Sequence, residues 1–347
     1  MFFFRKRFQK REAALGLDLG SSQIKAVVVR RNGTGLELAE YAVRPLPANG
    51  GKPYRDVQFA VEIQQLMNGL KITERRAYVA ISCGSAMVCQ TEFPKMPLQE
   101  IKSVLRLNGA KYLRRDFSNY CLDAVELPGT VSDDKAAPKV NVLVGGASKE
   151  EVAGYREALV AAKIRPEAME LAAIAVVNAF GLTKPDLANE TVLLVDIGAR
   201  STTINFLPSG QPLITRIMPF GGEEISEYIA QVLMVEAKEA EEQKLKMAEP
   251  VQELVRTAIS PLAREVRSSI DFFERQHDCH VTHMFACGGS ACSPKLLELL
   301  GEGVGMRVEC WNPVATLGTD HFNGEQPALL AAGPSLAAAV GAAAAHV

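Results

Sequence analysis

One pattern occurs twice in this chain and constrains its fold more than any other feature. Residues 15–29 read LGLDLGSSQIKAVVV, and residues 193–205 read LLVDIGARSTTIN. In each copy an apolar strand ends in an aspartate, a turn with a glycine follows, and a second strand begins. The residues that align without a gap are Asp18 with Asp196, Gly20 with Gly198, and Lys25 with Thr203. The repeat predicts an α/β fold built from two similar halves, whose turns face one cleft.

The residue types in the first turn are typical of a phosphate site. Gly20 has no Cβ, so it permits a sharp turn and the close approach of a ligand. Amides and hydroxyls at Ser21 and Ser22 can form a concavity for anionic oxygens. Asp18 is positioned to hold a cation or its waters, and Lys25 to balance phosphate charge. A single copy is equally typical of an ordinary turn, but the second copy favours two phosphate loops.

Composition narrows the class of protein. The 347 residues are enough for two domains, and 48% apolar with 22% charged residues is a normal globular balance. A net charge of -2 argues against a general nucleic-acid binder. We find no apolar run of about 18 residues, so we expect no transmembrane helix. Seven cysteines without CxxC spacing indicate reduced thiols and no zinc site.

The first twelve residues form a basic leader with two interpretations. The segment MFFFRKRFQKR has no cleavable hydrophobic core, so it is not a secretory signal. As a helix it would be amphipathic and basic, which suits the surface of an anionic membrane. Alternatively, it is a disordered leader before the first strand.

The remaining pattern predicts three regions. Residues 13–75 and 165–185 are expected to form the first domain and residues 190–347 the second, with the final helix returning to the first. Residues 76–164 read as strand, strand, helix, strand, strand, helix, which predicts a small α/β unit inserted in the first half. Residues 166–180 are predicted to be a helix that carries Glu170 near its start.

Several motifs resemble those of one family. The two Asp-x-Gly loops and Gly288-Gly289 look like the phosphate-1, phosphate-2 and adenosine motifs of the actin/hexokinase/heat-shock-70 ATPase superfamily. Within it, the chain resembles the PilM family of actin-like type IV pilus assembly proteins, which is related to FtsA. The matching segments are FPKMP (93–97), LQEIKSVL (98–105), KEEVAGYREAL (149–159), PFGGEEIS (219–226), AEEQK (240–244) and WNP (311–313). The departures are the basic leader, Arg200 and an insertion around residues 316–326. The resemblance implies an actin-like ATPase fold with an FtsA-type subdomain in the first half.

The resemblance also implies a site for ATP and Mg²⁺. The implied phosphate ligands are Ser21, Ser22 and Lys25 in the first loop, with Gly198, Thr202 and Thr203 in the second. Asp18 and Asp196 would hold Mg²⁺ through water. The implied ribose and adenine contacts are Gly221, Gly222, Glu241, Lys244, Gly288 and Gly289. The ordinary alternatives are turns for the glycine pairs and a surface i, i+3 pair for Glu241 and Lys244.

Catalysis is less constrained by these patterns. Hydrolysis requires a group that positions water in line with the γ-phosphate. Glu170 falls where the superfamily's first connecting helix carries an acid, but it can equally be a helix cap. We therefore expect at most a slow ATPase.

Three classes of function compete. The family implies a cytoplasmic assembly adaptor, held at the inner face of the inner membrane by the cytoplasmic tail of a PilN-like protein. The inserted unit would bind this tail, and further pilus components or an oligomer are compatible with it. The alternative is a small-molecule kinase of the same superfamily, which needs an acceptor pocket with a base. A heat-shock-70-type chaperone needs a C-terminal substrate domain, which we do not expect in a sequence of this length.

Overall fold

The computed structural model describes residues 12–33, 35–47, 53–70, 72–131, 138–320, 322 and 324–347. The predicted basic leader lies outside these residues, apart from its last position. The strands are β1 (Ala13–Leu19), β2 (Gln23–Asn32), β3 (Gly35–Pro45), β4 (Arg76–Ile81), β5 (Met87–Pro94), β6 (Tyr120–Val131), β7 (Lys139–Ser148), β8 (Arg165–Leu171), β9 (Thr191–Ile197), β10 (Thr202–Pro208), β11 (Ile214–Met218), β12 (His283–Cys287) and β13 (Val308–Cys310). The α-helices are α1 (Val57–Gly69), α2 (Leu98–Leu113), α3 (Lys149–Ala161), α4 (Ala172–Thr183), α5 (Gly222–Leu233), α6 (Ala237–Lys246), α7 (Glu249–His277), α8 (Pro294–Val304), α9 (Gln326–Ala332) and α10 (Ala337–Ala344).

Two five-stranded sheets share one topology, which confirms the predicted duplication. Their strand orders are β3-β2-β1-β4-β8 and β11-β10-β9-β12-β13. In each sheet the first three strands form an antiparallel meander, and the next strand pairs in parallel with the meander's first. Asp18 lies opposite Lys25, and Asp196 lies opposite Thr203. The gapless alignment of the two sequence copies is therefore also a structural alignment.

A third sheet, β5-β7-β6, forms the inserted unit together with α2. Apolar residues between α2 and the sheet make its own small core, with Phe93, Ile101 and Val142 fully buried. The expectation that a strand at Arg76–Ser82 belongs to this unit is wrong, because the strand observed there, β4, pairs with β1 and β8 in the first sheet. Residues 77–81 are buried on both faces, as is usual for a central parallel strand.

Two helix predictions also need correction. Residues 165–171 are the strand β8 rather than the start of a helix, because they pair in parallel with β4, and the helix begins at Ala172. The charge pattern of residues 223–249 is also typical of a surface helix, but the structure does not form one continuous helix there. The segment divides into α5 and α6 at Met234, which caps α5 in a left-handed conformation with φ 55°.

The C-terminal residues pack against the first half. Among the described residues, the stretch Gln326–Ala344 is long and apolar enough to cross a membrane by length and composition, although no apolar run of this length was identified in the sequence. In the structure it is divided into α9, a 3-10 turn at Gly333–Leu336, and α10, and most of it is buried inside the protein. Helix α10 lies against α4 and the first sheet, where Gly16 and Gly341 allow the backbones to approach closely.

This packing predicts that Gly341→Ala destabilises the protein by about 1–3 kcal/mol, the usual cost of overpacking a core. A methyl group at Gly341 would overlap the backbone oxygen of Ala175. The matched control is Gly181→Ala in α4, where a methyl group meets no atom within 4 Å. This control should stabilise the helix by up to about 1 kcal/mol. Chemical denaturation of both variants measures the difference, and equal stabilities would contradict the described packing.

Candidate functional site

A cleft of about 720 Å³ separates the two halves of the molecule. Its walls come from the first turn (residues 20–22), the second turn (residues 198–201), the start of α5, the residues after β12 and the start of α10. The predicted site residues that line it are Asp18, Gly20, Ser21, Ser22, Lys25, Asp196, Gly198, Thr203, Gly222, Glu241, Lys244, Gly288 and Gly289. Residues about 180 positions apart in sequence are thus brought together at one cavity.

The two turns have equivalent local geometry. A Cβ on Gly20 would lie 2.7 Å from the carbonyl oxygen of Gln23, and one on Gly198 would lie 2.9 Å from that of Ser201. In both turns the close atom belongs to the residue three positions later. Only glycine fits such a contact without shifting the backbone, so both turns hold their amides in a fixed arrangement.

Carboxylates from both halves reach the cleft floor. Lys25 Nζ lies 2.8 Å from Asp18 Oδ2, and both side chains are almost buried. Burial, together with the charge of Asp18, raises the pKa of Asp196 to about 6, although Lys25 and a hydrogen bond from Cys287 oppose the shift. Asp18 and Asp196 both interact with the single positive charge of Lys25. Two carboxylates beside one lysine leave a negative charge that would favour an additional cation. Oxygen ligands of this kind suit Mg²⁺, which also keeps waters and phosphate oxygens, so the residues present fit the predicted metal.

The raised pKa of Asp196 makes the free energy of unfolding depend on pH. An acid whose pKa is higher in the folded state than in the unfolded state loses its stabilising contribution as pH rises through the folded value. We therefore expect Asp196→Asn to unfold at a higher temperature than the wild type at pH 8, with a smaller difference at pH 5.

Thermal unfolding of the ligand-free proteins at the two pH values measures this effect. The control is Asp186→Asn, which changes an exposed carboxylate and should shift neither curve. If Asp196→Asn were less stable than the wild type at pH 8, Asp196 would not carry an electrostatic penalty.

The residues after β12 form an open backbone face. Gly288 has φ +92°, which a side chain would strain, and a Cβ there would overlap Asp196 and Ile197. Gly289 is different, because a Cβ there meets no atom within 4 Å. The cleft is therefore unobstructed at Gly289, which suits a flat ring lying against the backbone.

Lys244 is buried and structurally constrained, unlike a surface i, i+3 partner. Its ammonium donates to the carbonyl oxygen of Gly222 at 2.8 Å, to Ser226 Oγ at 2.8 Å and to Glu241 Oε2 at 2.6 Å. These three bonds use all its donor hydrogens. Lys244 therefore fixes α6 against the start of α5 and shapes this wall of the cleft. Ser226, which completes the cluster, was not predicted from the sequence.

Three other residues of the second half lie beside the cleft rather than in its lining. Thr202 is fully buried and donates its hydroxyl to the carbonyl oxygen of Phe220 at 2.7 Å. Gly221 lies under the second turn, where a Cβ would be 2.5 Å from the carbonyl of Ala199. Arg200 pairs with Glu223 at 2.6 Å. These residues support the second turn and the start of α5.

Glu170 lies outside the cleft lining. It sits on β8 opposite Ala80, and Asn178 of α4 donates to its Oε2 at 3.2 Å. Burial raises the pKa of Glu170 to about 8, so the side chain is mostly protonated at neutral pH. The helix cap considered from the sequence is wrong, because the residue is in a strand.

Two parts of the cleft wall were not predicted from the sequence. Ser335, Ala337 and Ala338 enter from the C-terminal region, where the amide of Gly288 donates to the carbonyl oxygen of Pro334 at 2.9 Å. Ser82, Cys83 and Ala86 enter from the connection between β4 and β5. The alanine-rich C-terminal sequence indicates close helix packing, but it contains no signal for a ligand.

Comparisons with known proteins agree with this architecture. The family model described as type IV pilus assembly protein PilM matches residues 16–346. A solved structure described as the PilM-PilN type IV pilus biogenesis complex is similar at 28% identity and a TM-score of 0.83, covering 96% of this chain and 97% of that chain. The ethanolamine utilization protein EutJ from Carboxydothermus hydrogenoformans is similar in fold at 16% identity and a TM-score of 0.56, covering 95% of this chain and 89% of that chain. With its duplicated sheets and actin-like ATPase fold, the chain belongs to the PilM family of type IV pilus assembly proteins.

Proposed function

We propose that this chain binds Mg-ATP in the cleft and the cytoplasmic tail of a PilN-like inner-membrane protein beside the inserted unit. The observation that carries the proposal is the pair of equivalent glycine turns, one from each half, facing one cavity with Asp18 and Asp196 at its floor. Such a site changes shape with the spacing of the halves. ATP would therefore act as a ligand that sets the conformation of an assembly protein.

The chemistry of each wall supports this arrangement of ATP. Ser21, Ser22 and Lys25 supply hydroxyls and a positive charge for phosphate oxygens. Bound Mg²⁺ would neutralise phosphate charge, and Asp18 and Asp196 would hold it through water. Gly289 leaves space for adenine, and the cluster around Lys244 borders the ribose side.

Binding rather than turnover is the expected role of the nucleotide. Glu170 does not reach the cleft, and the cleft carboxylates Glu223 and Glu241 are paired with Arg200 and Lys244. None of these groups is placed to orient a water. A small-molecule kinase function is less supported, because it needs a pocket for the phosphate acceptor with a free base in it.

The proposed tail site is the junction between the inserted sheet and the first half. The face of this sheet opposite α2 is apolar, and its residues Val88, Leu127 and Leu143 join the core of the first half. Val125 remains half-buried at this junction, as does Tyr54 on the first-half side. An extended peptide can bury apolar side chains in such a junction and use backbone hydrogen bonds. The tail would hold the chain at the cytoplasmic face of the inner membrane.

Calorimetric titration with Mg-ATP and with a synthetic PilN tail peptide tests both parts. We expect both to bind, and ATP at about 100 times its Kd to stabilise the protein by about 2.7 kcal/mol. Turnover should remain far below the common enzyme rate of about 10 s⁻¹. Absence of ATP binding would contradict the cleft assignment, and a phosphorylated small-molecule product would support the kinase instead.

A further inference from the structure

Two chain segments connect the inserted unit to the first half, and one buried carboxylate contacts both. We call these segments the neck: residues 82–86 after β4, and residues 148–149, where β7 ends and α3 begins. Glu151 accepts hydrogen bonds from the amides of Gly84 and Ser85, each at 3.1 Å. It also accepts from the hydroxyls of Ser85 and, at 3.3 Å, Ser148. The Glu151 side chain therefore joins the segment that enters the inserted unit to the segment that leaves it.

The neck has further internal bonds. The amide of Ser148 donates to Ser85 Oγ at 2.8 Å, so the two segments are also bonded directly. Ser148 caps α3 by accepting from the amide of Glu151 at 3.2 Å. A carboxylate in the first turn of a helix is favoured by the helix dipole, and charge-assisted bonds are stronger than neutral ones. Glu151 is therefore suited to hold the neck in one geometry.

The neck is also part of the candidate nucleotide site. Ser82, Cys83 and Ala86 line the cleft. The carbonyl oxygen of Ser82 accepts a hydrogen bond from Tyr155 of α3 at 3.0 Å, so the same helix that carries Glu151 supports the cleft wall. A shift of this wall would move the attachment of the inserted unit.

The inserted unit also contacts the second half. Gln90 of β5 donates from Nε2 to the carbonyl oxygen of Pro212 at 3.2 Å. Pro212 shortly precedes β11, whose Ile217 lines the cleft. The inserted unit thus bridges the cleft, with the neck at one end and Gln90 at the other. A ligand that changes the spacing of the halves must change the angle at the neck.

We propose that Glu151 is a positioning residue that couples nucleotide in the cleft to tail binding at the inserted unit. This inference rests on the proposed function, since it needs both ligands. Coupling between two sites is a reciprocal free energy, so ATP and the tail change each other's affinity by the same factor. The rigid neck transmits the change, and a loosened neck lets each ligand bind without affecting the other.

The test measures the Kd of the tail peptide with and without saturating Mg-ATP. In the wild type we expect the two values to differ by about five-fold or more, the usual lower range of coupling. In Glu151→Gln, which has the same size but only one acceptor oxygen, the ratio should fall to within about a factor of two. The control Glu150→Gln changes the exposed neighbour that pairs with Arg55 and should keep the wild-type ratio.

A second arm acts at the other end of the bridge. Gln90→Glu replaces the amide donor with an acceptor of similar size and should also lower the ratio. If Glu151→Gln does not fold, the test uses Ser85→Ala instead, because this variant removes the hydroxyl that bonds to Glu151 and to the amide of Ser148.

Several outcomes would overturn the inference. An unchanged ratio with weaker binding of both ligands in Glu151→Gln would show a merely structural role. A wild-type ratio near one, with both ligands bound, would refute the coupling and leave the proposed function intact. Failure of the wild type to bind either ligand would refute both.

Discussion

Gly289→Val is expected to abolish Mg-ATP binding while leaving the stability of the free protein unchanged. Gly289 has ordinary right-handed backbone angles, φ -61° and ψ -37°, so valine causes no left-handed strain. Its Cβ would project into open space within the cleft, where adenine is proposed to lie. The variant should therefore fold like the wild type, but its side chain occupies the space that the ligand needs.

The measurement is the rise in Tm caused by Mg-ATP. The stabilisation of about 2.7 kcal/mol expected at 100 times Kd should disappear in Gly289→Val. The control Gly35→Val adds the same side chain at an exposed strand position away from the cleft, with ordinary contact distances, and should keep the full shift. If Gly289→Val and Gly35→Val bound ATP with equal affinity, adenine would not lie against the backbone at Gly289.

Excision of the inserted sheet is expected to abolish tail binding and to retain ATP binding. The pairing of β5 with β7 indicates where the chain can be cut, because Met87 of β5 lies opposite Gly146 of β7. Residues facing each other in an antiparallel pair are about 5 Å apart, so a short glycine-serine linker can replace residues 87–147. The neck and Glu151 remain. A deletion of residues 76–164 would instead remove β4 from the first sheet.

Binding of the tail peptide and of Mg-ATP is measured on the excised protein. We expect reduced stability, because Val88, Leu127 and Leu143 leave the core of the first half. ATP should still raise the Tm, which shows that the cleft persists. The control is removal of residues 1–11, which should preserve tail affinity. Normal tail affinity after the excision would place the peptide elsewhere on the molecule.

The duplicated fold was predictable because its signal is local and occurs twice. Each hairpin carries its aspartate, glycine and second strand within about twelve residues, and strand alternation fixes which residues face each other. That is why Asp18 and Asp196, and Lys25 and Thr203, could be aligned with each other before the structure. The apolar strand β4 was misassigned because a continuous apolar run does not reveal which sheet it joins.

The remaining parts of the site depend on contacts between distant residues. The segment 166–180 is rich in apolar residues that suit a helix or a buried strand. Only its pairing with β4 shows that the first six positions form a strand. Lys244 looks like a surface residue in sequence, since Ser226 and Gly222 approach it only in three dimensions. Likewise, the bonds of Glu151 span more than sixty positions. Short-range patterns contain no information about such contacts.

Hydrogen exchange of the wild-type protein tests the central claim most directly, because it locates both ligands on one chain. Bound groups reduce local opening and slow the exchange of nearby amides. We expect Mg-ATP to protect the turns at residues 20–22 and 198–201 and the backbone at Gly288 and Gly289. The PilN tail peptide alone should protect β5, β6 and β7. An ATP footprint that spares the two turns, or a tail footprint that spares β5, β6 and β7, would contradict the account.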